Sequence, residues 1–305
     1  MGRVKDPAPV TIVVPAYNRA AALDRALASI EAQTRAPAEV VVVDDGSTDG
    51  TADCAAGRAV RMVQRGHGGA AAARNTGIEV ATQPWIAFLD SDDVWSPRRL
   101  EASFERIERR PDSTVAYGFY RQVPWGDGRV RVLPKKPRQG RMLPVMLLAN
   151  LVGTSTVTAR REVLVRHGLF DGRLPYAEDY ELWLRLARRE RFVFVPELLA
   201  HQRVGPSSKS KSPAHLLAHS LCAAAVVERF LVREREACGR PTRKLLRSMS
   251  RLHKNLAKLL RDAGRSRDAD LHLRRARAWT RAAAAPGRSA ARIREWDRFL
   301  VSCRR

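Results

Sequence analysis

The sequence is poor in cysteine and contains no long apolar run. Its four cysteines are spread over 305 residues without a Cys-x-x-Cys pair or the Cys/His spacing of a zinc site, which argues against a zinc domain and a disulfide scaffold. No window holds the roughly 18 uncharged apolar residues that a membrane span requires. The N-terminus enters a strand-like run too early for a signal peptide, so we expect a cytoplasmic protein with reduced thiols.

Three common catalytic motifs are also absent. The sequence contains no Walker phosphate loop and no Gly-x-Gly-x-x-Gly fingerprint, which argues against a P-loop NTPase and a dinucleotide oxidoreductase. It contains no Gly-x-Ser-x-Gly elbow, which leaves a Ser-His-Asp hydrolase unsupported. Any catalysis must therefore depend on other groups.

Acidic residues are outnumbered by basic ones. The sequence has 32 Asp and Glu and 55 Lys and Arg, which gives a formal net charge of +23. The excess lies in the last third, because residues 206–305 carry a net charge of +17. Such a segment indicates an anionic partner, either nucleic acid or a membrane surface. The tail has no recognised nucleic-acid motif and only scattered aromatic residues, so we expect no specific nucleic acid.

Composition also divides the chain. Residues 206–213 are rich in Ser, Pro and Lys and are the candidate linker. We expect a main domain over 1–205 and a basic helical extension over 214–305. In that extension Leu245, Met249, Leu252, Leu256 and Leu259 form a narrow apolar stripe at helical spacing, which favours packing on the main domain or a neighbouring helix over membrane contact.

The first half alternates between strand and helix patterns. Runs of β-branched and apolar residues predict buried strands at 10–15, 39–44, 59–64 and 85–88, and apolar residues three and four apart predict helices between them. This alternation is typical of an α/β fold with right-handed parallel units and helices on both faces of the sheet. Asn18 is expected to cap the first helix, and Ser96 before Pro97 to begin a later one.

The pattern changes after residue 110. Trp125 lies at the tip of a predicted strand pair, where it could stack on a sugar ring or anchor the hairpin. Further elements are predicted for the strands 114–121, 128–133, 154–159 and 192–195 and for the helix 176–191.

Carboxylates follow the strand at 85–88, where Asp90, Asp92 and Asp93 are expected at its C-terminal end. Ligands bind at that edge of α/β sheets. Three carboxylates in four residues repel one another, so a divalent cation that holds a phosphorylated substrate is one explanation and a solvated acidic turn is the other. The other acidic groups expected in the same cleft are Asp44, Asp45, Glu178 and Asp179.

Five stretches in order now carry a resemblance: VVPAYN at 13–18, VDDGSTD at 43–49, ARNTGI at 73–78, LDSDD at 89–93 and EDYELWL at 178–184. They resemble the successive motifs of family 2 glycosyltransferases, inverting enzymes of the GT-A (nucleotide-diphospho-sugar transferase) fold, which is a Rossmann-like sheet with helices on both faces. The resemblance covers about residues 10–203 and leaves the basic tail outside.

The resemblance implies a donor site for a nucleotide sugar. Asp45 would accept a hydrogen bond from a base N–H, which suits uracil, although an Asx turn with Ser47 is the alternative. Arg74 would reach the base or the diphosphate, with a surface arginine as the alternative. Asp90 would touch the ribose or the metal. The remaining implied donor residues are Pro15, Ala16 and Tyr17, which would wall the base, together with Asn18 and Ser91.

The resemblance also implies a metal ligand and a base. Asp92 would coordinate Mn²⁺ or Mg²⁺ on the diphosphate. Asp179 would be the general base, with helix capping as the alternative, and Glu178 a positioning group. Family members often carry a histidine near the end of the domain, but here His201 lies early and is a doubtful ligand. His67 could approach phosphate or be a solvated loop residue.

The resemblance therefore implies an inverting, metal-dependent glycosyltransferase of the hexosyltransferase type. The expected donor is a UDP-sugar and the acceptor a hydroxyl of a polysaccharide or lipid-linked glycan, as in cell-envelope biosynthesis. The basic extension would hold the enzyme on the anionic inner face of a cell membrane. The alternatives are a basic nucleic-acid-binding protein and a nucleotidyltransferase of the same fold, although the latter normally has a glycine-rich basic loop that 16–19 lacks.

Overall fold

The computed structural model describes residues 6–124, 129–204, 213–233 and 243–284. These residues fall into two compact units, one over Met1–Met146 and Asn150–Ser208, the other over Leu147–Ala149 and Lys209–Arg305. Trp125 lies outside the described residues. So does the predicted linker, apart from Pro213, which begins a helix.

The first unit is a mixed sheet with helices. Its helices are α1 (Ala20–Glu31), α2 (Ala70–Val80), α3 (Arg99–Glu108), α4 (Leu143–Met146), α5 (Arg161–Arg166) and α6 (Glu178–Arg189). Its strands are β1 (Ala8–Ala16), β2 (Pro37–Asp44), β3 (Arg61–Gln64), β4 (Trp85–Phe88), β5 (Asp93–Trp95), β6 (Val115–Pro124), β7 (Arg131–Leu133), β8 (Gly140–Arg141), β9 (Thr158–Arg160) and β10 (Arg191–Val204).

The sheet order is β3-β2-β1-β4-β9-β6-β10-β5, with β7 beside β6 and β8 beside β10. The first four strands are parallel, as predicted, and β9 runs antiparallel to β4. Alternate residues of β2 face opposite sides: Val40 and Val42 join the core that contains α1 and α3, whereas Val41 and Val43 pack with Ala73 of α2. Helices therefore cover both faces, so the carboxyl ends of β1, β2 and β4 open together at one edge.

Two predicted helix starts are wrong. Helix α1 begins at Ala20 after Arg19, and no side chain caps it; Asn18 adopts a left-handed conformation with φ of 49° and accepts a hydrogen bond from the Thr48 amide instead. Helix α3 begins at Arg99 rather than beside Ser96. In both cases the side chain that was expected to cap the helix has a partner far along the chain instead, because Asn18 Oδ1 binds the Thr48 amide and Ser96 Oγ lies 3.4 Å from His201 Nε2.

The segment after α4 also differs from its prediction. Residues 154–159 were expected to be one strand, but Thr154–Thr156 form a 3-10 turn and only β9 follows as strand. The last strand is longer than the expected 192–195, since β10 runs for 14 residues beside β6. The predicted pair at 114–121 and 128–133 is confirmed as β6 and β7, whose register pairs Tyr120 with Leu133.

The second unit consists, in its described part, of the helices α7 (Pro213–Arg233), α8 (Arg243–Asp262) and α9 (Ser266–Ala284). The apolar stripe of α8 packs inward, as predicted: Leu256 is fully buried in a cluster with Leu217 of α7 and Ala269 of α9. Within the described ranges, we find no helix with the length and apolar character needed to cross a bilayer.

Candidate active site

Asp45 is buried at the end of β2 and holds the glycine-rich loop that leads into α2. Its carboxylate accepts hydrogen bonds from the amides of Gly68 (3.1 Å) and Gly69 (2.7 Å), pairs with Arg65 and lies 3.0 Å from His67 Nδ1. A carboxylate offers about four lone-pair positions. The predicted hydrogen bond to a base N–H therefore stays a prediction, and it requires one of these donors to be displaced.

The neighbouring Asp44 makes the contact with Ser47 that was considered for Asp45. Asp44 Oδ1 accepts a hydrogen bond from the Ser47 amide at 3.0 Å, and Ser47 Oγ accepts one from the Asn18 amide at 2.9 Å. Asp44 therefore makes the side-chain contact with Ser47, three residues on, while the Asp45 carboxylate binds the amides of Gly68 and Gly69 instead of forming an Asx turn with Ser47. Asn18 and Asp44 together fix the β1 and β2 loops against each other.

The three residues expected to wall a nucleotide base differ in exposure. Pro15 and Ala16 are buried in β1, where they pair with Val43 and Asp44. Tyr17 is 42% exposed, so core packing is excluded as its role. Its ring lies 4.1 Å from that of His67 at an angle of 31°. The pair offers an open aromatic surface beside the β1 end, which suits stacking of a planar base.

Arg74 joins two of the predicted acidic motifs. Its guanidinium donates to Asp90 Oδ1 at 2.6 Å and to Glu178 Oε1 at 2.9 Å. The side chain is only 6% exposed, so the surface-arginine alternative is wrong. Burial opposes its charge, but Asp90 and Glu178 outweigh burial and raise the pKa of Arg74. The cation neutralises two carboxylates that come from different elements.

The three carboxylates after β4 do not point the same way. Asp93 is buried in β5, and its Oδ2 accepts a hydrogen bond from Ser155 Oγ at 2.5 Å. Its burial, followed by the negative charges of Asp90 and Asp92, raises the pKa of Asp93 well above the usual range. Asp92 is half-buried, and burial followed by the charge of Asp90 raises its pKa. Ser91, which lies between Asp90 and Asp92 in the sequence, is buried. The expected group of three therefore divides into an inward Asp93 and two carboxylates at the site.

Asp179 lies in the first turn of α6, after Ala177 in a left-handed conformation. Its Oδ2 accepts a hydrogen bond from Thr154 Oγ1 at 2.9 Å, and its Oδ1 one from the Tyr180 amide at 2.6 Å. Burial, and then the neighbouring Glu178, raise the pKa of Asp179 to about 6, against the opposing effect of Arg74. A carboxyl group poised near neutral pH suits proton transfer, although the amide contact also fits the capping interpretation.

The side chains of the described residues do not by themselves complete a metal site. In the ranges that the structure describes, no three His, Cys, Asp or Glu residues gather with metal-binding geometry. His201 Nε2 lies 3.4 Å from Ser96 Oγ, which agrees with its interpretation as a doubtful ligand. Asp92 nevertheless fits a cation, because no other described residue donates to its desolvated carboxylate. Mg²⁺ is commonly held by one or two carboxylates together with substrate phosphates.

Sequence reasoning missed the hydroxyl groups that serve these carboxylates. Thr154 binds Asp179 and Ser155 binds Asp93, yet residues 154–159 had been treated as a polar strand without chemistry. A Thr-Ser-Thr run between glycine and valine was the available indication, because successive hydroxyl residues often bond to polar groups near a turn.

The fold is that of known GT-A glycosyltransferase structures. S. aureus TarS 1-349, solved in complex with UDP-GlcNAc, aligns over 85% of this chain and 88% of its own with a TM-score of 0.56 at 17% identity. The mannosyltransferase PcManGT from Pyrobaculum calidifontis, solved with GDP-Man and Mn²⁺, aligns over 98% and 86% with a TM-score of 0.58 at 20% identity. The predicted GT-A fold is confirmed.

The sequence profile described as Glycosyl transferase family 2 matches residues 11–166, about half of the chain. The chain therefore belongs to glycosyl transferase family 2, a family of transferase enzymes. An uncharacterized glycosyltransferase of Rickettsia felis is 29% identical over 213 residues, which is 66% of this chain and 35% of the relative. The chain spans 35 to 64% of the length of the first curated relatives that it matches.

Proposed function

We propose that this chain transfers a sugar, with inversion, from a nucleoside-diphosphate donor to an acceptor hydroxyl of a glycan or glycolipid. The observation that best supports this proposal is the position of Asp179. It is a buried carboxyl group with a pKa of about 6, and Arg74, which binds the adjacent Glu178, also binds Asp90 at the end of β4. A proton acceptor and the predicted donor carboxylates thus belong to one connected group.

On the donor side, the open face of Tyr17 and His67 receives the base, beside the buried Pro15 and Ala16. Asn18, Asp45 and Ser91 shape the surrounding loops. Asp92 and Asp90 would hold a divalent cation, which supplies charge neutralisation for the diphosphate when it is bound. The Arg74 guanidinium holds Asp90 and Glu178 in place, and its ion pairs do not involve Asp92.

On the acceptor side, the ionised Asp179 removes the proton from the attacking hydroxyl. The acceptor oxygen forms its bond to the anomeric carbon as the bond from that carbon to the diphosphate oxygen breaks on the opposite face. The nucleoside diphosphate leaves with the electron pair, and the proton stays on Asp179 until solvent removes it. The adjacent Glu178 is held by Arg74, whose guanidinium lies 2.9 Å from Glu178 Oε1.

The base of the donor is tested by calorimetric titration of UDP, GDP and dTDP in the presence of Mn²⁺. We favour UDP, because Asp45 suits uracil and the structural neighbour TarS was solved with UDP; the neighbour solved with GDP-Man is the counter-example. We expect UDP to bind more than tenfold more tightly than GDP. Tighter binding of GDP keeps the enzyme class and corrects the donor.

Metal dependence is tested with Asp92→Ala and chelator in the same titration. We expect either change to weaken UDP binding at least tenfold, since the diphosphate charge loses its counter-ion. Asp112→Ala is the matched control, because Asp112 is exposed and lies far along the chain from Asp92, with its carboxylate 3.4 Å from Arg191. If Asp92→Ala and the chelated wild type both bind UDP as tightly as the wild type with Mn²⁺, the metal-dependent mechanism is wrong.

We also propose that the helical extension over 214–305 binds an anionic membrane surface, beside a transferase domain over 1–205. Six exposed cations follow one another three or four residues apart along α8, on a face about 26 Å long. We call this face the basic ridge, and its members are Lys244, Arg247, Arg251, Lys254, Lys258 and Arg261. The apolar stripe of α8 is buried against its neighbours, so charge rather than insertion would provide the contact.

The membrane proposal is tested by flotation of the full chain with phosphatidylserine vesicles. The variant changes Lys244, Arg251, Lys254 and Lys258 to Gln. Each lost cation removes about 1 kcal/mol of binding free energy before salt screening. With screening, we expect the variant to bind about two orders of magnitude more weakly. Its control changes four exposed cations of α9 to Gln: Arg267, Arg274, Arg277 and Arg281. If both variants lose the same amount of vesicle binding, the attraction depends on total charge, and the basic ridge is not the specific contact surface.

A further inference from the structure

The 3-10 turn Thr154–Thr156 places two hydroxyl groups between the acidic motifs of the site. Thr154 Oγ1 donates to Asp179 Oδ2 at 2.9 Å, at the start of α6. Ser155 Oγ donates to Asp93 Oδ2 at 2.5 Å and accepts a hydrogen bond from the Asp90 amide at 3.2 Å. Adjacent residues of one turn thus contact both the predicted base and the loop that carries the predicted donor carboxylates.

The turn itself is fastened from several sides. Trp95 Nε1 donates to Ser155 O at 2.7 Å, and the fully buried Arg99 donates to Val157 O and to Thr158 Oγ1, each at 2.7 Å. Arg99 has no carboxylate partner in the described residues; its guanidinium lies 4.1 Å from the centre of the Trp95 ring. A buried arginine committed to backbone and hydroxyl acceptors holds this segment firmly.

Internal bonds and close packing complete the support. Thr156 Oγ1 donates to Gly153 O at 2.7 Å, which closes the turn on itself. A Cβ atom on Gly153 would lie 2.8 Å from the ring of Tyr120, so a side chain at this position would force the turn away from β6. The two hydroxyl groups therefore meet their carboxylates in a fixed geometry rather than through a flexible loop.

We propose that Thr154 is a positioning residue for the transfer reaction: its hydroxyl holds the Asp179 carboxylate in its ionised form and in one orientation, while Ser155 ties the same turn to the Asp90–Asp93 loop. The proposal rests on the proposed function, because it assumes that Asp179 is the base. It goes beyond that function by coupling the base to the donor loop through one turn.

The surroundings of Asp179 define the expected effect. Glu178 and Tyr180 lie beside it on α6, Arg74 reaches toward it from α2, and Tyr120 faces it from β6. Arg74 is the one cation in this described set, and it is already paired. A hydrogen bond to a carboxylate favours the ionised form. Removing the Thr154 hydroxyl should therefore move the acidic limb of the pH–rate profile upward by about one pH unit.

The test measures kcat and kcat/KM from pH 5 to pH 9 for Thr154→Val, with UDP binding recorded separately. We expect the acidic limb to rise by about one pH unit while UDP affinity changes less than threefold. Thr154→Ser keeps the hydroxyl and should restore the wild-type limb. Thr114→Val is the matched control, because it removes a hydroxyl that donates to Glu190 at the same distance of 2.9 Å. If Thr154→Val does not fold, Thr154→Ala serves in its place.

Two outcomes must be kept apart. If Asp179→Asn abolishes transfer while Thr154→Val and Thr154→Ala leave the limb unmoved, the positioning role is overturned and the proposed function stands. If Asp179→Asn retains transfer, the base assignment fails, and the inference fails with it for that separate reason. A limb that moves equally in Thr114→Val would also overturn the proposal, since the shift would not depend on contact with Asp179.

Discussion

At the scale of single residues, Asp179, the proposed base, should give the transfer reaction a pH dependence. Its pKa is raised from 3.8 to about 6 by burial and by Glu178. A base must be ionised to accept a proton, so transfer should be lost as the pH falls through about 6, by about tenfold per pH unit below that value. Measurement of kcat/KM against pH checks this. Asp171→Asn is the control, because Asp171 is bound to Arg173 and should leave the limb in place.

Arg74 is a residue whose loss should cost considerable stability. Its removal leaves the facing carboxylates of Asp90 and Glu178 without a cation in a site that is largely closed to water. Truncating one partner of such a buried group typically costs about 3 kcal/mol or more. We expect Arg74→Ala to lower the free energy of unfolding by about that amount in urea titrations.

The surface arginine Arg58 provides the comparison for Arg74. Arg58 also bridges two carboxylates, those of Asp24 and Glu31, but both partners are more than half exposed. Exposed ion pairs contribute at most about 1 kcal/mol. Equal losses in Arg58→Ala and Arg74→Ala would contradict the view that burial gives the Arg74 cluster its importance.

At the scale of elements, the contact between α2 and β1 depends on Gly77. A Cβ atom there would overlap Val13 Cγ1, so the helix that carries Arg74 could not keep its distance from the sheet. Alanine is intrinsically the better helix former by about 1 kcal/mol, yet overpacking typically costs about 1–3 kcal/mol. We therefore expect Gly77→Ala to destabilise the protein in thermal unfolding. Gly172→Ala has open space around it and should change the melting temperature by less than 2 °C.

The helices of the second unit bury a polar cluster instead of a purely apolar core. His253 is fully buried, with Nε2 2.9 Å from Glu228 Oε1 and Nδ1 2.9 Å from His272 Nδ1, and Arg275 donates to Glu228 at 3.1 Å. Although burial opposes its charge, the contacts of Glu228 with His253 and Arg275 lower its pKa. Burial, and then His253 and Arg275, lower the pKa of His272 to about 4.

At the scale of the whole molecule, these shifts predict that the two units respond differently to acid. A pKa that is lower in the folded protein means that the unfolded chain binds the proton first as the pH falls. The free energy of unfolding linked to His272 therefore falls as the pH drops from about 6.5 to about 4. The free energy linked to Glu228 is lost below the usual glutamate range. We expect a loss of helical circular dichroism between pH 6 and pH 4. His272→Phe should move that loss to lower pH; an unchanged acid transition would contradict the assignment.

The sequence by itself determined the α/β order, the parallel strands and the family. Hydrophobic runs of strand length and five motifs in order suffice for these, because each depends on residues close together in the chain. The resemblance of its motifs to those of family 2 glycosyltransferases also identified Arg74, Asp92 and Asp179 as candidate site residues.

Only the tertiary structure decided how those groups are paired. The Asp45 carboxylate accepts hydrogen bonds from the amides of Gly68 and Gly69. Asp93 binds Ser155, and Asp179 binds Thr154, a residue 25 positions earlier in the chain. Asn18 and Ser96 failed as predicted caps for the same reason, because distant partners replaced the local ones. Hydrogen bonds between segments far apart in the chain leave no periodic pattern, so they appear only once the sheet brings the segments together.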